Sequence, residues 1–131
     1  MKRLILSLAF GAAMMTAAMA AEPAKSMDSS VGKVLVDMKG MTLYIWDKDT
    51  KGAAKSACVD KCPAAWPGFA AAADAKPEGK FTIVDGFDKD AKPIKVWAYD
   101  GWPLYYFAKD AKTGDVTGNG VAGNTWHVVK M

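Results

Sequence analysis

The sequence contains one stretch twice: GMTLYIWDKD at residues 40–49 and GWPLYYFAKD at residues 101–110, which lies 61 residues further along the chain. The two copies align without gaps and share glycine, leucine, tyrosine, an aromatic residue, lysine and aspartate. Each copy follows a β-rich run and leads into an acidic loop, which is the pattern of a hairpin followed by a loop. Because a single hairpin cannot bury its apolar face alone, the two copies are predicted to pack against each other.

The second strand of each hairpin carries apolar residues on both faces. Since side chains alternate along a strand, Leu43 and Ile45 lie opposite Tyr44 and Trp46. Residues 104–107 repeat the alternation in the second copy. A sheet of this kind has to be covered on both sides, which favours a compact antiparallel sandwich or small barrel over an open sheet.

Turn chemistry and β-rich composition place the other strands. Lys39-Gly40 and Asp100-Gly101 each supply a glycine where a two-residue hairpin loop needs a positive φ. Residues enriched in β-branched and aromatic side chains predict the strands. Six strands are predicted, at residues 33–37, 42–46, 80–84, 94–99, 104–107 and 125–129.

The Ala-rich segment 53–75 lacks this alternation. It is predicted to form one or two helical turns over the sheet, broken at Pro63 and Pro67. The predicted fold is therefore an all-β, mainly antiparallel domain of two hairpin repeats, with a short helical loop that bears a disulfide. The repeats are expected at about residues 33–84 and 94–131.

The chain begins with the features of a cleavable export signal. Lys2 and Arg3 precede an apolar run over residues 4–18, and Ala18-Met19-Ala20 has the small-x-small form of a cleavage site. Cleavage after Ala20 is predicted, because the run is too short and too rich in alanine for a stable membrane span. The following polar residues, 21–30, are predicted to be a flexible tether.

A chain cut after Ala20 has 111 residues, which suit a single domain. It carries 15 lysines, no arginine and 14 acidic residues, so its net charge is about +1. The lysines alternate with aspartates and there is no guanidinium for phosphate recognition. Nucleic-acid binding is therefore not expected.

The duplicated motif also points to a family. Its two copies read Tyr44-x-Trp46-x-x-Asp49 and Tyr105-x-Phe107-x-x-Asp110. They resemble the Tyr-x-aromatic-x-x-Asp signature of a family of secreted repeat proteins, described as predicted lipoproteins of unknown function. The likeness covers nearly the whole exported chain and implies an exported module without an established activity. Many members carry a lipobox cysteine; this chain has none, so it looks like a soluble relative.

The motif residues are interpreted as structural. Asp49 and Asp110 follow the ends of their strands, where each carboxylate is expected to accept hydrogen bonds from the loop that follows it. Tyr44 and Tyr105 are expected to bury their rings while their hydroxyls find partners.

Cys58 and Cys62 are predicted to form a disulfide, since they are the two cysteines of an exported chain. Their spacing differs from the two-residue spacing of thioredoxin-like redox motifs. The loop that they close is short, so the bridge is expected to shape a loop more than to hold the fold.

No metal site and no cofactor are predicted. The loop that starts at Asp47 resembles a calcium loop, but Lys51 and Cys58 stand where carboxylates are needed. Soft or imidazole ligands for copper are also present, and nothing in the sequence brings them together. These are Met38, Met41, His127 and Met131.

No catalytic residue is assigned. His127, the single histidine, lies between Trp126 and Val128 on a strand and is interpreted as a structural or surface residue. The sequence has no Gly-x-Ser-x-Gly motif, and a dyad of Cys58 with His127 would compete with the disulfide.

The predicted function is therefore a non-enzymatic exported binding or interaction module, monomeric and associated with the envelope. Trp102, beside the Gly101 turn, is expected to face solvent and is the candidate ligand contact. The partner is a small molecule, an envelope component or a protein. The alternatives are a periplasmic enzyme and a metal-binding protein for copper or calcium.

Overall fold

The computed structural model describes residues 22–131, and the predicted signal peptide at residues 1–20 lies outside them. Within the described range the chain forms short strands and two four-residue helical turns. In chain order these are β1 (Ala24–Ser29), β2 (Gly32–Asp37), β3 (Tyr44–Trp46), α1 (Cys62–Ala65), β4 (Phe81–Phe87), β5 (Pro93–Tyr99), β6 (Trp102–Pro103), α2 (Val121–Asn124) and β7 (Trp126–Val128). Three small antiparallel sheets contain β1–β2, β3–β7 and β4–β5–β6. The predicted all-β, mainly antiparallel fold is confirmed.

The two copies of the motif lie side by side and antiparallel at the centre of the fold. Tyr44 and Tyr105 exchange both backbone hydrogen bonds, at 2.8 and 3.0 Å. On its other side, Tyr44 pairs with Val128 of β7, and Tyr105 pairs with Gly68. Each copy therefore has equivalent neighbours, as in two repeats related by an approximate twofold axis.

Apolar side chains are buried on both sides of this central pair, as the alternation predicted. The side of Leu43 and Ile45 faces one core cluster, and the side of Tyr44 and Trp46 faces another. The first cluster contains Ala24, Leu35, Leu43, Phe69, Phe81, Trp97, Leu104 and Val129. The second contains Val34, Val36, Tyr44, Cys58, Trp66, Tyr105, Trp126 and Val128.

The prediction of a flexible tether at residues 21–30 is wrong for most of its length. Residues Ala24–Ser29 form β1, which pairs along its whole length with β2. The strand has the sequence AKSMDS, in which apolar and polar residues do not alternate, and only Ala24 is fully buried. The strand is defined by its backbone ladder to β2, which composition does not reveal.

Three local predictions also need correction. The predicted strand at 104–107 does not form. The strand β6 ends before it, at Pro103, and Tyr105 makes isolated bridges to Tyr44 and Gly68. The first hairpin loop has three residues, 38–40, because the Asp37 N–H bonds to the Met41 carbonyl. Pro63 lies at the start of α1 and does not break it, since the first helical turn does not need the missing N–H.

The second hairpin turn agrees with its prediction. Asp100 and Gly101 both have positive φ, 49° and 85°, between the paired residues Tyr99 and Trp102. These angles suit a two-residue turn whose twist matches the flanking strands.

Candidate functional site

The two copies of the motif are joined by crossed tyrosine–aspartate pairs. The hydroxyl of Tyr44, in the first copy, donates to Asp110 Oδ2 of the second copy at 2.6 Å. The other oxygen of Asp110 accepts the N–H and hydroxyl of Thr117, at 3.0 and 2.5 Å. The Gly118 N–H donates to the Tyr44 hydroxyl oxygen at 3.2 Å. Each polar group at this end of the core is therefore satisfied within the protein.

The reciprocal pair lies at the other end. The Tyr105 hydroxyl donates to Asp49 Oδ2 at 2.6 Å, and Asp49 Oδ1 accepts the Ala57 N–H at 2.8 Å. Ser56 is also within hydrogen-bond distance of the Tyr105 hydroxyl, at 2.5 Å. The Cys58 N–H donates in turn to Ser56. The roles of Ser56 and Thr117 were not anticipated, because a serine or threonine in a loop carries no distinctive signal.

Burial dominates the electrostatics of these pairs. It raises the pKa values of Tyr44 and Tyr105 well above that of a free phenol, and the neighbouring carboxylates raise them further. Burial also raises the pKa of Asp49, although the hydrogen bonds from Tyr105 and Ala57 oppose this effect. Both phenols therefore act as hydrogen-bond donors and stay protonated at neutral pH.

A third pair of this kind was missed by the sequence interpretation. The Tyr106 hydroxyl donates to Asp37 Oδ2 at 2.7 Å, while Asp37 Oδ1 accepts the N–H groups of Lys39 and Met41. An aspartate before a glycine turn is a turn signal. Nothing in the sequence linked it to Tyr106, which is 69 residues away.

Trp46 and Phe107, the aromatic residues of the two motif copies, form the two ends of a stack of four rings in the second core cluster. Trp46 stacks on Trp126 with centroids 4.9 Å apart, Trp126 on Trp66 at 3.7 Å, and Trp66 on Phe107 at 4.2 Å. The two copies thus contribute symmetrically, since Trp46 and Phe107 occupy the same motif position at opposite ends. The Nζ atom of Lys48 lies 5.9 Å from the centroid of the Trp46 ring.

The Cys58–Cys62 disulfide is present, as predicted, with a Cα–Cα distance of 5.2 Å. Cys58 is buried and belongs to the second core cluster, next to the Ser56–Tyr105 hydrogen bond. Cys62 begins α1. The bridge therefore fixes the loop that covers one end of the crossed pairs.

His127 points away from Trp126 and Val128, which are both buried. Its Nε2 lies 2.9 Å from Asp47 Oδ2 in a half-exposed contact. Among the candidate copper ligands, Met38 and Met131 are exposed. Residues 22–131 contain no group of three or more His, Cys, Asp or Glu side chains placed to hold a metal ion.

Trp102 is half-buried, so it is less solvent-facing than predicted. It lies on β6 directly opposite Tyr99 of β5, which itself pairs with Phe81 of β4. Side chains at directly opposed positions share a face of the sheet. Phe81, Tyr99 and Trp102 therefore form an aromatic row across the β4–β5–β6 sheet.

The fold and its crossed pairs define a duplicated, disulfide-containing β module. A family described as a secreted repeat of unknown function matches residues 25–70 and 94–130, which is more than half of the chain. The protein belongs to this family, and the resemblance seen in the sequence is confirmed. Neither the curated proteins nor the solved structures give a match. Both helical turns in the described part of the chain fall far short of the length and apolarity of a membrane-crossing helix.

Proposed function

We propose that the protein is an exported, non-enzymatic binding module in which the duplicated motif builds the scaffold and ligand contacts lie elsewhere. The supporting observation is that the motif's polar groups bond to each other in the interior. Tyr44 and Tyr105 are 0% and 2% exposed, and Asp49 and Asp110 are 6% and 9% exposed. Groups so enclosed and so paired stabilise a fold, and a ligand would have to break the pairs to reach them.

The proposed location is the periplasm or the extracellular medium, after cleavage behind Ala20 and without a lipid anchor. The family's description as secreted supports export. Expression of the full chain with its own leader tests the finer claims. Intact-mass measurement of the exported protein should give a chain that starts at Ala21 without added lipid. A retained leader or a lipid adduct would contradict them.

Binding can be tested on protein recovered from the periplasm after export of the full chain. Thermal shift against peptidoglycan fragments, haem, quinones, Cu²⁺ and Ca²⁺ should give a saturable rise in Tm with an organic or envelope ligand. That ligand should be recovered chemically unchanged. Turnover of a panel member would favour the enzyme alternative, and a shift with metal alone would favour the metal-binding alternative.

The scaffold role of the motif is tested in the same assay with Tyr105→Phe. This variant removes one hydroxyl and keeps the ring. It should lower Tm while leaving ligand affinity unchanged, because the hydroxyl is enclosed. An unchanged Tm with lost binding would show that the motif is itself the site.

A further inference from the structure

A cleft of about 440 Å³ lies between β1 and the adjacent ends of β4 and β5. Its floor is formed by side chains of the first core cluster: Ala24, Leu35 and Phe81 are 5%, 1% and 2% exposed. The size falls within the range of small-molecule sites, which are mostly apolar with a few polar groups at their edges.

Within residues 22–131, the polar side chains around this floor have no hydrogen-bond or salt-bridge partner, unlike those of the motif. The hydroxyls of Tyr44, Tyr105 and Tyr106 all donate to carboxylates. Tyr99 lines the cleft, and its hydroxyl makes no hydrogen bond to residues 22–131. It is therefore the one tyrosine of this part of the chain whose hydroxyl is available to a ligand.

Two lysines add a charge to the same rim. Lys25 on β1 and Lys80 at the start of β4 line the cleft, and within residues 22–131 neither forms a salt bridge. Glu22 and Met131 also line it; the charged side chains of the lining are therefore two lysines and one glutamate.

We propose that this cleft binds a small amphipathic anion, with its apolar body on the floor and its anionic head group near Lys25, Lys80 and the Tyr99 hydroxyl. The proposal rests on the proposed function as a binding module and assigns that module's site and ligand class. Charge-assisted hydrogen bonds from ammonium groups favour an anionic head, and the apolar floor favours a hydrocarbon body.

The test uses NMR titration of isotope-labelled protein, recovered from the periplasm, with decanoate as the probe. Saturable shift changes are expected at Ala24, Lys80 and Tyr99. Decanol should bind more weakly because it lacks the charge, and decyltrimethylammonium should bind weakest. Equal binding of all three would overturn the anionic class, and tightest binding of the cation would show that Glu22 and other acidic groups dominate the cleft.

Matched variants test the assigned groups. Lys25→Gln with Lys80→Gln should weaken decanoate binding about tenfold, and Tyr99→Phe about threefold. Lys89→Gln, in the exposed β4–β5 turn, should leave the affinity unchanged. Circular dichroism of each variant checks that it is folded.

Two outcomes separate this inference from the proposed function. If another ligand binds and its shift changes lie away from the cleft, the cleft assignment fails while the binding module stands. If decanoate gives no saturable change in the cleft, the assignment also fails, whatever the ligand panel shows.

Discussion

The two repeats cover the ends of the crossed tyrosine–aspartate pairs with loops that differ in sequence. The loop from Asp49 to Trp66 and the loop from Asp110 to Trp126 each cover one end of the crossed pairs. In each, the motif aspartate accepts a backbone N–H from the middle of the loop, at Ala57 or Thr117. In each, the closing tryptophan joins the central ring stack.

The loops differ in what secures the buried tyrosine. In the first loop Ser56 bonds to the Tyr105 hydroxyl, and a disulfide closes the chain from Cys58 to Cys62. In the second loop the Gly118 N–H bonds to the Tyr44 hydroxyl, and no cysteine is present. A Cβ at Gly118 would lie 2.7 Å from Trp66, so close backbone packing replaces the covalent bridge.

In both repeats the motif fixes the tyrosine, the aspartate and the aromatic ring, while the loop only has to supply one more hydrogen bond. A side-chain hydroxyl and a backbone N–H serve equally well in that role. The sequences of the two loops are consequently free to differ, although their lengths are similar.

The largest expected effect comes from the motif aspartates, and it should be unequal. Asp110→Ala removes three hydrogen bonds and leaves the Tyr44 hydroxyl without an acceptor, which should destabilise the fold by about 3 kcal/mol. Asp49→Ala should cost about 2 kcal/mol, because the Ser56 hydroxyl, which donates to Tyr105 in the native protein, can turn and accept from it instead. Urea unfolding of both variants measures the difference.

Asp90→Ala is the matched control, since within residues 22–131 the Asp90 side chain forms only an exposed ion pair with Lys89. Its unfolding free energy should equal that of the native protein. Equal losses for Asp49→Ala and Asp110→Ala would show that Ser56 does not compensate.

The close packing of the second loop can be broken at Gly118. In Gly118→Ala the new methyl group overlaps Trp66 and Phe107, so we expect a loss of about 2 kcal/mol. Gly52→Ala is the control: Gly52 has a φ of +81° and no atom within 4 Å of its would-be Cβ, so only backbone strain of about 1 kcal/mol applies. A smaller loss at Gly118 than at Gly52 would contradict tight packing in the second loop.

The disulfide of the first loop should contribute less to the free energy of unfolding than the motif aspartates. Replacing both cysteines by serine, at 58 and 62, should cost no more than about 2 kcal/mol, because the closed loop is short and Asp49 and Ser56 still anchor it. Unfolding with and without a thiol reductant checks this on the native protein, and the double variant should not respond to the reductant. Loss of the folded state on reduction would mean that the covalent bridge holds the fold itself.

The ionisation of the phenols is expected to have the smallest effect on the stability of the fold at neutral pH. The pKa values of Tyr44, Tyr105 and Tyr106 are raised by burial first and by their aspartates second. The unfolded phenols titrate near pH 10. The fold therefore keeps their full contribution below about pH 10 and loses stability as the pH rises above it.

Absorbance titration of the phenolate, followed together with circular dichroism, measures this. These three hydrogen-bonded phenols should ionise only as the protein unfolds, in one alkaline transition. Their ionisation in a protein that stays folded would show that the crossed pairs are open to solvent.

Much of this molecule could be predicted from its sequence. The gap-free repeat of residues 40–49 at 101–110 indicated two packed hairpins, and the alternation around Tyr44 and Tyr105 assigned each side chain to a face. Those signals are local, because the side-chain period of a strand and the φ requirement of a turn act within a few residues. The disulfide followed from the two cysteines and the predicted export.

Only the tertiary structure decided which groups meet. Tyr44 bonds to Asp110 and Tyr105 to Asp49, over separations of 66 and 56 residues, and sequence spacing cannot choose between pairing within a copy and across copies. The choice follows from the antiparallel contact of the two central strands, which brings the tyrosine of one copy to the loop of the other. The same holds for β1 and the cleft beside it, since a polar strand becomes visible only when a second strand satisfies its backbone.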